Sequence, residues 1–217
     1  MNSPVRTRSR RLRLIALPAV AVAAVLTLGA CSSTAQSGAA AVVGGEGISD
    51  STVATYAEEV RAAIGQAGTN DPKVNRDVIS LLIQGKVIDE AAAREGITVT
   101  DSQISELISK AAAQGGLDAL ESSLATQYGV APSQVQSFAR TNLLYQGLVQ
   151  KFGKGDQTVG STAAGALLDT VSHDLGVSVS PRFGQWSGAQ LNVVPPPNDI
   201  SEPAARAAEA AAVQSAG

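Results

Sequence analysis

The stretch from Val74 to Ile88 narrows the possible folds more than any other. Val74, Val78, Ile79, Leu81, Leu82, Ile83, Val87 and Ile88 crowd together so closely that one face of a helix cannot hold them all. A helix that is apolar on several sides needs neighbours all round, so this segment, running to about Glu95, is expected at the centre of a helical bundle. Aromatic residues make up only 3% of the chain. The core is therefore expected to be aliphatic, with alanine supporting helices throughout.

The covering helices are legible from their period. Val53, Tyr56, Val60 and Ile64 recur at helical spacing with Glu58, Glu59 and Arg61 between them, which predicts an amphipathic helix over 50–66. Ser49 or Asp50 can cap its start, and Gly65 to Pro72 ends it. Gly96 stops the central helix, and Ile97 to Thr100 is a brief extended link. Thr100 with Gln103 forms a capping-box pattern opening a third helix with the stripe Ile104, Leu107, Ile108 and Ala111. Past Gly115 and Gly116, Leu117, Leu120, Leu124 and Tyr128 mark a fourth. Pro132 opens a fifth in which Val135, Phe138, Tyr145, Val149 and Phe152 share one side, until Gly153 and Gly155 break it. Thr162 to about Leu175 forms a sixth around Leu167, Val171 and Leu175.

Two short extended pieces bracket these helices. Ala41, Val42 and Val43 read as a strand, with Gly44 and Gly45 as a tight turn leading through Glu46 and Gly47 to Ile48. Val177 and Val179 alternate with serines as in an exposed strand. Lone short strands are marginal unless paired, so the two are expected side by side, a small two-stranded patch that joins the N- and C-terminal segments of a mostly α domain. That domain is expected to span 41–190. Pro195 to Pro197 stiffen the exit, and 191–217 is expected as a disordered tail rich in Ala, Glu, Ser and Gln.

Ahead of the domain, Arg6, Arg8, Arg10, Arg11 and Arg13 precede Leu14 to Leu28, a run with no charged residue, and Leu28, Gly29, Ala30 and Cys31 close it. This is a signal-peptide layout ending in a lipobox, with Gly29 and Ala30 filling the middle places. The run of about 15 residues is short for a membrane span of about 20. Residues 1–30 are thus expected to be removed, leaving Cys31, the chain's one cysteine, as a lipidated first residue that ties the protein to the membrane. Residues 31–40 are too poor in apolar groups to order themselves and read as a flexible tether. Ser9, Arg10 and Arg11 are similar to a twin-arginine export signal, but Arg13 stands where that signal wants an apolar residue, so ordinary export of an unfolded chain is expected.

Without residues 1–30 the chain keeps 11 basic and 19 acidic residues. A net charge of −8 argues against nucleic acid as a partner, and against attraction to anionic lipid heads. Cys31, once acylated, leaves no thiol for a disulfide or a thiolate metal site. His173 is the single histidine, and no spaced carboxylate loop or phosphate-binding glycine pattern accompanies it. No metal, no cofactor and no catalytic residue is expected.

The order of these pieces resembles the N-terminal domain of the SurA and PrsA class of extracytoplasmic chaperones and peptidyl-prolyl isomerases. The resemblance is carried by Ala41 to Ser49, by Ala93 Arg94 Glu95 Gly96 Ile97 Thr98 Val99 Thr100 Asp101 Ser102 Gln103 Ile104, and by Val177 to Trp186, over about residues 40–190. Gly44 stands where that class usually has Asn. Isomerases of the class insert a parvulin domain before the closing strand, whereas only Gly153 to Gly176 lies in that place here. The resemblance therefore implies a SurA N-terminal-like helical domain without the parvulin domain, a tethered, non-enzymatic holdase or assembly factor for unfolded exported polypeptides. The alternative is an adaptor lipoprotein docking one fixed envelope partner. Neither composition nor period singles out client-binding residues.

Overall fold

A computed structural model describes residues 38–195. The leader, Cys31 and its lipobox, the first residues of the tether and 196–217 lie outside the described residues. Six α-helices and five short strands succeed one another within them. Strand β1 (Ala39–Val43) turns into β2 (Glu46–Ser49), and the helices are α1 (Asp50–Ala63), α2 (Pro72–Arg94), α3 (Asp101–Ala112), α4 (Gly116–Tyr128), α5 (Val135–Gly153) and α6 (Gln157–Asp174). Strands β3 (Ser178–Val179), β4 (Gln185–Ser187) and β5 (Asn192–Val194) close the order.

Helix α2 is the central element, as its sequence demands: no residue from 74 to 88 is exposed. Ile79, Ile83, Val87 and Ala91 are wholly buried on one side. Asp71 caps its start by accepting from the Lys73 amide, and Pro72 occupies the first turn, where its missing N–H costs nothing. Ser49 caps α1, and the box of Thr100 and Gln103 opens α3 with both reciprocal bonds formed. A 3-10 turn at Pro132–Gln134 leads into α5.

Helix α6 begins five residues earlier than the apolar period indicates. Asp156 accepts from the amides of Thr158 and Val159 at 2.8 and 3.0 Å, and the first turns bury small residues, Gly160 against Val149 of α5 and Ala164 one turn on. A period search keyed to large side chains passes over such an interface. The interval between α5 and β3 holds this one helix.

The expected pairing of the two extended segments is present. Ala41 lies opposite Val179 and Val42 opposite Ser178 in an antiparallel ladder. The patch has a third strand, because Gly44 and Gly45 take φ of +60° and +82° and form a two-residue turn whose twist suits a hairpin. Glu46–Ser49 therefore pairs back on β1, giving the order β2-β1-β3. Order also continues past 190: β5 pairs with β4, and Val193 is buried. The domain's last ordered strand thus falls inside the segment expected as tail, since Asn192–Val194 is only three residues long and is held by Ser80 and Gln84, far away in sequence.

Half of the α4 stripe is exposed, Leu117 at 49% and Tyr128 at 54%, whereas Leu120 and Leu124 are half-buried and Ala125 is the buried residue of that helix. In α5 the deepest residues are Leu144 and Leu148, while Phe138, Tyr145 and Phe152 are only partly buried.

Candidate functional site

Helix α2 carries a second apolar stripe besides its buried one. Val78, Leu81, Leu82, Gly85 and Ile88 recur at helical spacing and form one wall of a groove of about 470 Å³. Phe138, Thr141, Asn142 and Tyr145 of α5 form the facing wall. The walls come close at Gly85, where a Cβ would stand 3.7 Å from the Thr141 hydroxyl. Val130 and Ala131, in the link between α4 and α5, lie along the groove together with Tyr56 of α1 and Leu191. Gly129 turns the chain into that link at φ +69°, a left-handed cap that glycine adopts without a Cβ penalty.

Aromatic residues gather here despite their scarcity. The whole chain has three Tyr, three Phe and one Trp, and Tyr56, Phe138 and Tyr145 line the groove. Tyr128 packs on Phe138 with ring centroids 5.8 Å apart, and its exposed ring extends the apolar lip.

Polar groups sit among the apolar ones. Gln84 donates to the Leu191 carbonyl at 2.6 Å and so fixes that residue at the groove. Gln134, Ser137 and Thr141 line the groove, and their side chains can hydrogen-bond a guest backbone. Lys86 bonds Glu46 at 2.5 Å, and this bond, with the lysine charge, holds the Glu46 carboxyl below its ordinary value. Arg140 meets Asp89 at 3.4 Å. Both pairs are solvent-facing and rearrange at little cost.

The arrangement suits reversible holding of an apolar chain. From Val78 to Asp89 the α2 wall is roughly 16 Å long at about 1.5 Å per residue, room for about five residues of extended polypeptide. Volume and lining are those of a binding cleft. His173 is exposed in the last turn of α6 and is not among the lining residues. Among the described residues no group of His, Cys, Asp and Glu could hold a metal ion, and no helix is long and apolar enough to cross a membrane. A second depression, of about 460 Å³, beside the start of α1 contains Arg61 and Arg182. Arg61 is spent there on Glu58 and Asn75, and Arg182 on Asp50 and the Phe183 ring, so these cations hold the fold.

Of the groove residues, Tyr56, Val78, Leu81, Leu82, Ile88, Phe138 and Tyr145 were visible in the sequence only as helix-stripe positions. The available signal was the surplus on α2, which has more apolar residues than its buried side uses. Leu191 gave no signal at all.

Comparison with curated proteins and with solved structures finds no match. The family model described as the SurA-like N-terminal domain matches residues 1–149. That match takes in β1 to nearly the end of α5, both groove walls included, and leaves α6 and β3 to β5 beyond it. The chain belongs to the SurA-like N-terminal domain family.

Proposed function

We propose that this protein is a membrane-tethered, extracytoplasmic holdase: it keeps apolar segments of exported polypeptides from aggregating by seating them in the groove between α2 and α5. The observation that carries the reading is the second apolar stripe of α2. Leu81 and Leu82 are kept partly exposed on a helix whose other side is fully covered, and an apolar wall of this kind favours a binding role. The mixture of large apolar side chains with hydroxyl and amide groups fits extended guests of many sequences, because the polar groups can bond a backbone while the apolar ones take whatever side chains arrive.

Family membership supports a chaperone-like role of this kind. The lipobox Leu28 to Cys31 supports a lipid anchor at the outer face of the cell membrane. The reading is non-enzymatic, with no cofactor. It draws support from the interval before β3, which holds α6 alone, where a peptidyl-prolyl isomerase needs a pocket around the prolyl bond.

The test is aggregation of a reduced, unfolding client followed by light scattering without ATP. The protein should slow aggregation at several-fold excess, Leu82→Asp should lose most of that effect, and prolyl isomerisation should not be accelerated. Moderate salt should matter little, since apolar contact is not screened, whereas mild detergent should abolish the effect. Unchanged aggregation would favour the adaptor reading, one fixed envelope partner on the same domain.

A further inference from the structure

The groove is graded along its length. Near Val78 it is flanked by the link between α4 and α5: a Cβ on Gly129 would stand 2.9 Å from the Asp77 Cβ, and Val130 and Ala131 follow as lining. Further along stand the ionised side chains of the lining, Lys86, Asp89 and Arg140. Arg140 and Asp89 face each other at 3.4 Å and cancel within the groove. Lys86 does not cancel there, because its partner Glu46 belongs to β2 and is not among the lining residues. The surplus charge of the groove is thus one ammonium group, on a protein whose residues 31–217 carry 11 basic and 19 acidic side chains.

That ammonium is in register with the apolar row. Val78, Leu82 and Lys86 follow one another at four-residue intervals, about 6 Å apart along the helix axis and close to one line on its surface. An extended polypeptide repeats its side-chain direction every two residues, about 6.6–6.8 Å. A guest strand laid along α2 therefore sets two alternate side chains against Val78 and Leu82 and the next alternate one against Lys86. Glu46 meets the same ammonium from the more exposed side, its side chain 75% exposed against 37% for Lys86. An exposed pair of this kind contributes little, and a carboxylate that arrives along the groove, where water is partly displaced, competes with it.

We infer that the groove selects extended segments in which two large apolar residues alternate with small ones and an acidic residue stands two places beyond the pair, its carboxylate on Lys86. The inference rests on the reading of the groove as a site for apolar segments and adds the class of segment it prefers. Glu46 is then the built-in competitor that the guest's acid displaces.

The test uses the full-length protein inserted in phosphatidylcholine vesicles and fluorescein-labelled peptides whose symmetry makes chain direction immaterial. The probe is Gly-Asp-Thr-Leu-Thr-Leu-Thr-Asp-Gly, compared with forms carrying Asn or Lys in place of both Asp, and with the isomer Gly-Thr-Asp-Leu-Thr-Leu-Asp-Thr-Gly, whose acids fall on the other side of the strand. The Asp probe should bind about three- to fivefold more tightly than the Asn form, and the isomer should lose that advantage. The Lys form should bind most weakly, the reverse of what the protein's net charge alone would give. Lys86→Gln should remove the difference between Asp and Asn, Glu46→Gln should enlarge it, and the exchanged pair Glu46→Lys with Lys86→Glu should favour the Lys form. If all four peptides bind alike while Leu82→Asp abolishes binding, the groove takes apolar segments and the acidic preference is refuted. If no peptide binds, the groove reading fails and the preference with it. A dimer that Leu82→Asp dissociates, or dodecanoate displacing every peptide at a lower concentration than the Asp probe needs, would assign the groove to a second copy or to a fatty acid and overturn the inference.

Discussion

The buried backbone N–H of Val193 donates to the hydroxyl of Ser80 at 2.9 Å, across 113 positions of sequence. Ser80 in turn donates to the Arg76 carbonyl at 2.7 Å, so a polar residue 7% exposed on the central helix has both its capacities used. This bond pins β5 to α2 and, with Gln84, sets Leu191 at the groove. Ser80→Ala removes the acceptor and leaves a buried amide unsatisfied. It should cost about 1–3 kcal/mol, read as a lower urea midpoint, with faster amide exchange concentrated in β4 and β5. A variant as stable as the parent would show that water replaces the hydroxyl.

Gly160 of α6 faces the Val149 carbonyl of α5 so closely that a Cβ could not fit without moving backbone. Gly153 stands against the same turn, where its Cβ would be 3.1 Å from the Gly160 Cα. Two glycines thus let α5 and α6 approach. Gly160→Ala, normally favourable inside a helix, should here destabilise by roughly 1–3 kcal/mol through overpacking. Thermal unfolding is the check, and Gly165→Ala, where a Cβ meets nothing within 4 Å, is the control that should not destabilise.

The loop between α1 and α2 is tied by Glu58. Its carboxylate accepts from the Gly68 amide at 3.0 Å and from Arg61 at 3.1 Å, and these bonds, the amide's first, hold its pKa below the ordinary glutamate value. A lowered folded-state pKa means stability that is fully present above the ordinary value and lost as pH falls through the lowered one. Glu58→Gln should therefore be less stable than the parent at neutral pH, and the gap should close on acidification below the usual carboxylate range. Urea midpoints across pH measure it; a gap independent of pH would mean that the carboxylate charge contributes nothing.

Cys31 lies outside the described residues, and its role rests on sequence. Cys31→Ala should leave the chain uncleaved or free of the membrane fraction and should eliminate fatty-acid labelling. Label that persisted in the variant would refute the anchor.

How much of this was legible depends on what each feature is made of. The central position of α2, the caps at Ser49 and Thr100 and the pairing of Ala41 with Val179 arise from large apolar side chains, hydroxyls and β-branched residues, which announce themselves locally. The first turns of α6 did not, because Gly160 and Ala164 bury by being small. Nor did β5, whose order comes from Ser80 and Gln84, residues that sequence places far away. The groove was half legible. Leu81 and Leu82 could be seen to lie off the buried side of α2, but the wall facing them depends on how α5 crosses, a tertiary fact that Phe138 and Tyr145 do not reveal by spacing.

The central claim is that the α2–α5 groove receives many different exported polypeptides. The direct measurement is photocrosslinking in the native envelope with p-benzoylphenylalanine at Leu82, compared with the same group at Leu117, an exposed apolar position on α4 that does not line the groove. A spread of unrelated exported proteins captured at Leu82 and largely missing at Leu117 is the predicted result. One discrete product at Leu82, or no more capture there than at Leu117, would contradict it.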